Sequence, residues 1–576
     1  MAQYAGETMS AIHRRHAARG VVRSPIAGIP AARWVVLLAS AWILFGLIGH
    51  DPWKPDEAYT FGIVLDYLRT RDWVVTTLAG EPFVEKPPGI YVVAGAFVEL
   101  LEGVLPAHDA ARLAAGSFVA LALVFLALTA REIFGRGFAS AAVLILLGCV
   151  GTLPRMHQLI PDVVLLAGVA VGMYGLALAR RSLWTAGAAL GLGAASAFFG
   201  KGLFGPGVLA LTALLLPVFP AWRTRRYAAA LAVATVVGAL PAALWMPALF
   251  ARSPALFHEW LVNNNFGRFL GFSDLGPPPN PPGFYLVTLL WYAFPALPLA
   301  GYALWTAWRR GDATARTSLQ LPALLGAVVA VVLGAAHDSR ELYLLPLTLP
   351  LSLLAARGLS RLPPFGAKAL TLFARWTLGP LALVLWLAWL ALVTGIPSSL
   401  QSTLLEHQPG FEPVVQWPAL VLALAVTLGV AWVLASGPSS AGRALVQWVS
   451  GITLCWTLAM TLWLPYLDAG MSYREIFRSL ARALPEGDCV ASLYFGEGQR
   501  GLLVYFENVT TVRLERAPDA VCRTLLVQRT RLTGAPAPSE EWVPVWEGAR
   551  AGDRKELYRL YRKDVAAGQP VARFPE

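Results

Sequence analysis

Thirteen apolar runs, most of them separated by short arginine-bearing links, organise the chain between residues 33 and 466. They fall at approximately 33–49, 111–130, 138–153, 160–179, 184–199, 203–220, 227–249, 283–307, 319–336, 342–358, 375–395, 417–435 and 445–466. A bilayer crossing needs about 20 apolar residues, so the pattern predicts a polytopic α-helical membrane protein with about 13 transmembrane helices. After Tyr466 the pattern becomes that of a soluble domain, and 467–576 is expected to form a small α/β unit. There, Ser472 and Glu475 have capping-box spacing ahead of an amphipathic helix that reaches about Leu484. CVASLY at 489–494 predicts a strand, EGQRGLLVYF at 497–506 a helix, and CRTLLVQ at 522–528 a second strand.

Composition agrees with this reading. The 576 residues are 56% hydrophobic and only 14% charged, with a mean hydropathy of +0.57, whereas about a quarter of residues are charged in soluble domains. The net charge of +11 does not point to nucleic acid, because Lys and Arg collect in the links between apolar runs, where they set orientation in a bilayer. Arg14, Arg15, Arg19 and Arg23, then Arg131 and Arg136, Arg180 and Arg181, Arg223, Arg225 and Arg226, Arg309, Arg310 and Arg316, and finally Arg357, Arg361 and Lys368 share one side under this count. Positive-inside makes that side cytoplasmic. The opposite, periplasmic face then carries the 50–110 loop, the 251–282 loop and the segment after Tyr466, and 1–32 is a cytoplasmic N-terminus. The run from Ala31 to Gly49 has no clear small-residue cleavage site and reads as an uncleaved first span.

Charges are scarce, so their placement outside the links is informative. The 50–110 loop holds DPWKPDEAYTFG at 51–62 and LAGEPFVEKPPG at 78–89. Glu57 to Leu68 predicts a short helix begun after Pro55, and Pro88 to Leu105 a second, interfacial one. Asp56 and Glu57 diverge by about 100 degrees on a helix, so one is expected to face a cavity and the other to pair or cap. A carboxylate here can act as a general base or hold a divalent cation; as a first-turn residue it can also simply favour the helix dipole. Pro87 and Pro88 stiffen the backbone beside Lys86, a point charge suited to phosphate or else an interfacial lysine paired with Glu85. Further ionisable groups gather at outer span ends: Arg155, His157, Asp162, Lys201, Arg268, His337, Asp338, Arg340 and Glu341, with Tyr343 nearby. The run NNNFGRFLGF followed by GPPPNPP has too much Gly and Pro for regular structure and is expected to be a strap or a plain surface loop. Cys489 and Cys522 each start a strand, which allows a disulfide between neighbouring strands on an oxidising side; two buried thiols are the alternative.

KPDEAY at 54–59, RDWVVTTLAGEPFVEKPPG at 71–89, Lys201-Gly202 and SRELYLLP at 339–346 resemble the bacterial aminoarabinose transferase (ArnT) and protein O-mannosyltransferase group of GT-C membrane glycosyltransferases. The resemblance implies a GT-C fold and transfer of a sugar from a polyprenyl (undecaprenyl) phosphate donor to a lipid, lipid A-like, or glycan acceptor at the periplasmic face of the inner membrane. It implies Asp56 as the first-loop catalytic acid with Glu57 beside it, Asp162 as an acidic residue near the cavity, and Lys86, Arg268, Tyr343 and Arg340 as the donor phosphate site. Glu85 is expected to orient Lys86. The family reads DExRY where this chain has Tyr59 at the arginine position, a departure that weighs against a phosphate as the reacting group of the acceptor. A transporter or flippase of polyprenyl-linked lipids is the alternative; it calls for charged or broken helices at the membrane midplane and repeat symmetry.

Overall fold

The computed structural model describes residues 26–273, 275, 280–311, 313–435, 440–485, 487–530, 539, 541–553, 555–563 and 571–574. The first basic cluster, Arg14 to Arg23, and most of the GPPPNPP stretch lie outside the described residues. Each of the thirteen apolar runs carries helix. Among the described residues seven helices are long and apolar enough to cross a membrane, and nine are if two bent pairs, Phe284–Tyr292 with Ala296–Arg309 and Ala441–Ala459 with Leu464–Ala483, each make one span. Four shorter apolar helices, among them Ala32–Leu44 and Gly89–Leu100, accompany them.

Burial sorts these helices into layers. Pro161–Leu178 is enclosed almost all round, while Pro364–Thr394 and Trp417–Ala435 leave most of their surface open. Large apolar side chains such as Val236, Trp376 and Leu428 are exposed on the outer helices. In water such a surface would be a liability; against lipid tails it is the expected finish. The central pair, Pro161–Leu178 and Trp184–Lys201, packs antiparallel and very closely, because a Cβ at Gly168, Gly175 or Gly193 would run into the facing backbone. Small residues permit this approach, and it places Asp162 at the start of one helix beside Lys201 at the end of the other.

The first loop is ordered. Pro55 precedes the helix Asp56–Thr70, which ends at Arg71 in the left-handed conformation. Strands β1 (Thr77–Leu78) and β2 (Glu81–Pro82) then form a hairpin whose two turn residues, Ala79 and Gly80, both have positive φ, as a two-residue type I′ turn requires. Asp66 secures this turn by accepting hydrogen bonds from Gly80 N at 2.8 Å and Thr77 Oγ1 at 3.1 Å. The second expected helix spans Gly89–Leu100.

The region expected to be a strap is instead helical from Pro254 to Leu270, with wide π-type turns over Glu259–Gly267. Asn264 Nδ2 donates to Glu259 O and Asn265 Nδ2 to Trp260 O. The asparagine side chains thus bond carbonyls five residues back, one wide turn away, which reverses their usual preference for loops.

After the last apolar helix, Arg474–Ala483 packs on a six-stranded sheet of order β4-β3-β5-β7-β6-β8, built from Thr511–Arg513, Val490–Leu493, Thr524–Thr530, Glu556–Arg562, Val543–Gly548 and Ala572–Phe574. The capping box does not form: Ser472 Oγ accepts from Arg474 N, while Glu475 pairs with Arg478. Cys489 lies one residue before β3 and Cys522 two residues before β5; the two strands pair in parallel, and the cysteines are disulfide-bonded with a Cα–Cα separation of 5.3 Å. The helix Glu497–Glu507 crosses from this sheet to the first-loop helix, and glycines set the contact: a Cβ at Gly498 would lie 2.9 Å from Ala58 Cβ, and one at Gly62 3.0 Å from Gly501 Cα.

Candidate functional site

Asp56 and Glu57, neighbours in the first turn of one helix, enter different environments. Glu57 Oε1 accepts from Arg112 Nε at 2.6 Å and from Leu159 N at 3.3 Å, and Oε2 accepts from Trp53 N at 3.2 Å. Arg112 has no solvent exposure and also donates to Asp109 at 2.6 Å, His50 O at 2.7 Å and Leu47 O at 3.3 Å. Burial alone would raise the Glu57 carboxyl, but Arg112 holds it below its ordinary value. With every partner supplied by the protein, this carboxylate ties the loop to the helix Ala107–Phe134.

Asp56 has no comparable clamp. Arg340 Nη1 stands 3.7 Å from its Oδ1, and Tyr59 OH donates to the same oxygen at 3.5 Å. Burial and the charge of Asp162 raise its carboxyl above the ordinary value, with Arg340 opposing. Desolvation next to a second carboxylate makes Asp56 a better proton acceptor than an exposed aspartate.

A cavity of about 380 Å³ is lined by Glu85, whose charge also reaches Asp56. Its polar end is made by Glu85, Lys86, Lys201, Arg268, Asp338 and Tyr343, and its walls continue through Leu165, Phe204, Val208, Leu211 and Leu333. Lys86 Nζ donates to Glu85 Oε1 at 3.0 Å, and Arg268 Nη1 donates to the same oxygen. Arg268 reaches Asp338 Oδ2 through Nη2 at 2.6 Å and Nε at 3.1 Å, and Tyr343 OH donates to that oxygen at 3.0 Å. Lys201 pairs with Asp162 and lies 3.7 Å above the centre of the Tyr343 ring. Burial would raise the Glu85 carboxyl, yet Lys86 and Arg268 hold it well below the usual range. Main-chain bonds from His337 N to Phe269 O and from Asp338 N to Arg268 O fasten the segments that carry Arg268 and Asp338 to each other.

The cavity therefore has a cationic head and an apolar length, a shape that suits an amphipathic anion. Lys86, Arg268 and Tyr343 come together there; Arg340 turns instead toward Asp56, with Nε 3.9 Å from Asp338 Oδ1. Asp338, noted from the sequence as a charge at a span end, and Lys201, noted there and in the Lys201-Gly202 motif, are structural partners of the set. Arg112 gave no local signal, since it lies inside an apolar run. Among the described residues no three His, Cys, Asp or Glu side chains converge as a metal-ligand set.

No family model matches the chain. It is 26% identical over 371 residues to the undecaprenyl phosphate-alpha-4-amino-4-deoxy-L-arabinose arabinosyl transferase of Pectobacterium carotovorum, covering 63% of this chain and 65% of that protein. It is 28% identical over 338 residues to the transferase 1 of that name from Sodalis glossinidius, covering 57% and 59%. The chain thus spans just under two thirds of the length of the relatives it matches. The crystal structure of ArnT from Cupriavidus metallidurans bound to undecaprenyl phosphate superposes with a TM-score of 0.69 at 19% identity, covering 94% of this chain and all of that one. The fold is that of ArnT, a GT-C fold. The resemblance to the aminoarabinose transferase group thus holds in sequence as well as in fold. The chain is a multi-pass membrane protein, and the ArnT fold accounts for the described apolar helices together with the small sheet that follows them.

Proposed function

We propose that the protein is an inverting GT-C glycosyltransferase that moves a sugar from a polyprenyl-phosphate donor to a hydroxyl of a lipid or glycan acceptor at the periplasmic face of the inner membrane. The observation that carries this reading is the cavity itself: Lys86, Lys201 and Arg268 crowd its polar end while its walls are hydrocarbon, which matches a phosphate on a long isoprenoid chain. The relatives' names supply the donor class, undecaprenyl phosphate carrying a sugar. In this proposal residues 1–32 are cytoplasmic, 33–466 form the transmembrane unit, and the 50–110 and 251–282 loops and 467–576 are periplasmic.

The acceptor hydroxyl gives its proton to Asp56 while its oxygen attacks the anomeric carbon. The bond from that carbon to the phosphate oxygen breaks, and polyprenyl phosphate leaves with the electron pair. Lys86 and Arg268, already held in a dry site, meet the charge that develops on the leaving oxygen; such prepositioned charges contribute most where water is excluded. One displacement by the acceptor inverts the anomeric centre. Glu85 and Asp338 keep the cations in place, and Glu57 with Arg112 fixes the helix from which Asp56 projects. A flippase would need the same phosphate handle but has no use for a desolvated, proton-accepting aspartate beside it.

Mass spectrometry of lipid A and surface glycans from cells with and without the protein tests this. A sugar present only when the protein is present is expected; identical envelopes in the two strains would contradict it.

A further inference from the structure

A second basic cluster stands on the side of the first loop that faces the C-terminal sheet. The guanidinium groups of Arg500, Arg513 and Arg516 converge on one oxygen, Glu81 Oε2, at 3.1, 3.2 and 3.4 Å. Glu81 sits at the β1–β2 turn, Arg500 on the helix Glu497–Glu507, Arg513 at the end of edge strand β4 and Arg516 in the turn that follows. Arg500 is only 3% exposed, and its Nε makes no hydrogen bond among the described residues. Glu515 lies 3.9 Å from Arg513 Nε, and one of its oxygens accepts from Tyr494 N.

Three arginines on a single carboxylate oxygen are a poor geometric match, even with Glu515 and Glu497 nearby to balance charge. One carboxylate oxygen offers few acceptor positions, whereas three planar donor forks suit the several oxygens of a phosphate. Burial lowers the Arg500 guanidinium below its ordinary value, with Glu81 opposing and the Arg513 charge adding to the fall. Its position connects it to the transfer site. The Gly498 contact with Ala58 seats the start of the Glu497–Glu507 helix on the helix of Asp56. Glu497, one turn before Arg500, is raised by burial and by the charge of Glu85 in the cavity.

We infer that Arg500, Arg513 and Arg516 form an anion subsite that holds a phosphate group of the acceptor while a separate hydroxyl of that acceptor is glycosylated at Asp56, with Glu81 occupying the subsite when no acceptor is bound. This rests on the transferase reading and deepens it. It answers the Tyr59 departure: the phosphate serves as a handle at the C-terminal sheet, and the first loop has no need of an arginine to manage a phosphate nucleophile.

The test is calorimetric titration of the purified full-length protein with inorganic pyrophosphate, comparing wild type, Lys86→Ala, the double variant Arg513→Ala/Arg516→Ala, and Glu81→Gln. Two classes of site are expected in wild type. Lys86→Ala should lose one, and the double arginine variant should lose the other. Glu81→Gln should tighten the arginine site by about tenfold or more, equivalent to about 1.4 kcal/mol. If the arginines merely staple the hairpin to the sheet, Glu81→Gln gives no tightening, and that result overturns the inference, as does a wild type whose only site depends on Lys86. Both double-variant residues are partly exposed, and a melting curve confirms that each variant is folded. Because the titration reads no turnover, it can succeed or fail independently of the transfer reaction. Where transfer is observed, the double variant should raise KM for a phosphorylated acceptor about tenfold with kcat kept, and leave KM for the dephosphorylated acceptor unchanged; an equal rise for both acceptors contradicts the subsite.

Discussion

Arg340 Nη1 stands 3.7 Å from Asp56 Oδ1, the one cation paired, among the described residues, with a carboxylate that is otherwise desolvated. The pairing is loose enough to leave Asp56 able to take a proton. Asp56→Asn should therefore lower kcat by about 100-fold or more, the usual scale for loss of a general base. The acid limb of the kcat profile should lie above the ordinary aspartate value of 3.8, since activity is lost as pH falls through the raised value.

Stability moves in the opposite direction at that residue. A raised carboxyl means that the folded state binds the proton more tightly than the unfolded chain, so ionised Asp56 opposes folding at neutral pH and ceases to do so below about 3.8. The melting temperature of Asp56→Asn is expected to equal or exceed that of wild type at pH 7, with the gap closing on acidification. A lower melting temperature at pH 7 would show that Asp56 is held for structural reasons.

Glu57 behaves as the reverse case. Its lowered carboxyl contributes stability above the unfolded value of 4.5, and that contribution disappears as pH falls through the folded value. Removing one partner of a buried pair costs about 3–5 kcal/mol, so Glu57→Ala and Arg112→Ala should both be strongly destabilised in thermal melts. Turnover per folded molecule should fall less in Glu57→Gln than in Asp56→Asn.

Lys86 and Arg268 both touch Glu85 but differ in commitments. Lys86→Ala leaves Glu85 with Arg268, so the fold should hold while turnover with a polyprenyl-phosphate sugar drops by about 10²–10³. Arg268→Ala takes from Asp338 its closest cation and leaves Glu85 with Lys86 alone, so melting temperature and turnover should both fall. Equal melting temperatures for the two variants would contradict this division.

The disulfide closes a segment with a sequence separation of 33 between Cys489 and Cys522. Chain-entropy reasoning puts its contribution at about 3–4 kcal/mol. Cys489→Ser should lower the unfolding midpoint of the C-terminal sheet, read by proteolysis, more than that of the apolar helices.

Much of this arrangement was legible because charges are rare in an apolar chain. Lys86 between Glu85 and two prolines, Arg268, Tyr343 and Asp162 were each visible as exceptions, and the resemblance ordered them. Arg112 was not singled out, since only Asp109 among its four anchors is local; Glu57, His50 O and Leu47 O lie more than 50 residues away and only packing assembles them. The helix across 254–270 was missed for the converse reason: Asn and Gly argue locally for a loop, and here tertiary packing of Trp260 against Trp245 and Phe198 outweighs that preference. The Arg500, Arg513 and Arg516 cluster is dispersed over a helix, a strand and a turn, so no spacing rule could reveal it.

The most direct measurement is transfer of radiolabelled sugar from a polyprenyl-phosphate donor to the envelope lipid fraction by the purified, reconstituted protein, set beside Lys86→Ala and Asp56→Asn at matched folded concentration. Robust transfer by wild type with at least about 100-fold less in both variants is the result expected. Turnover in both variants equal to wild type would contradict the assignment of this cavity as the transfer site.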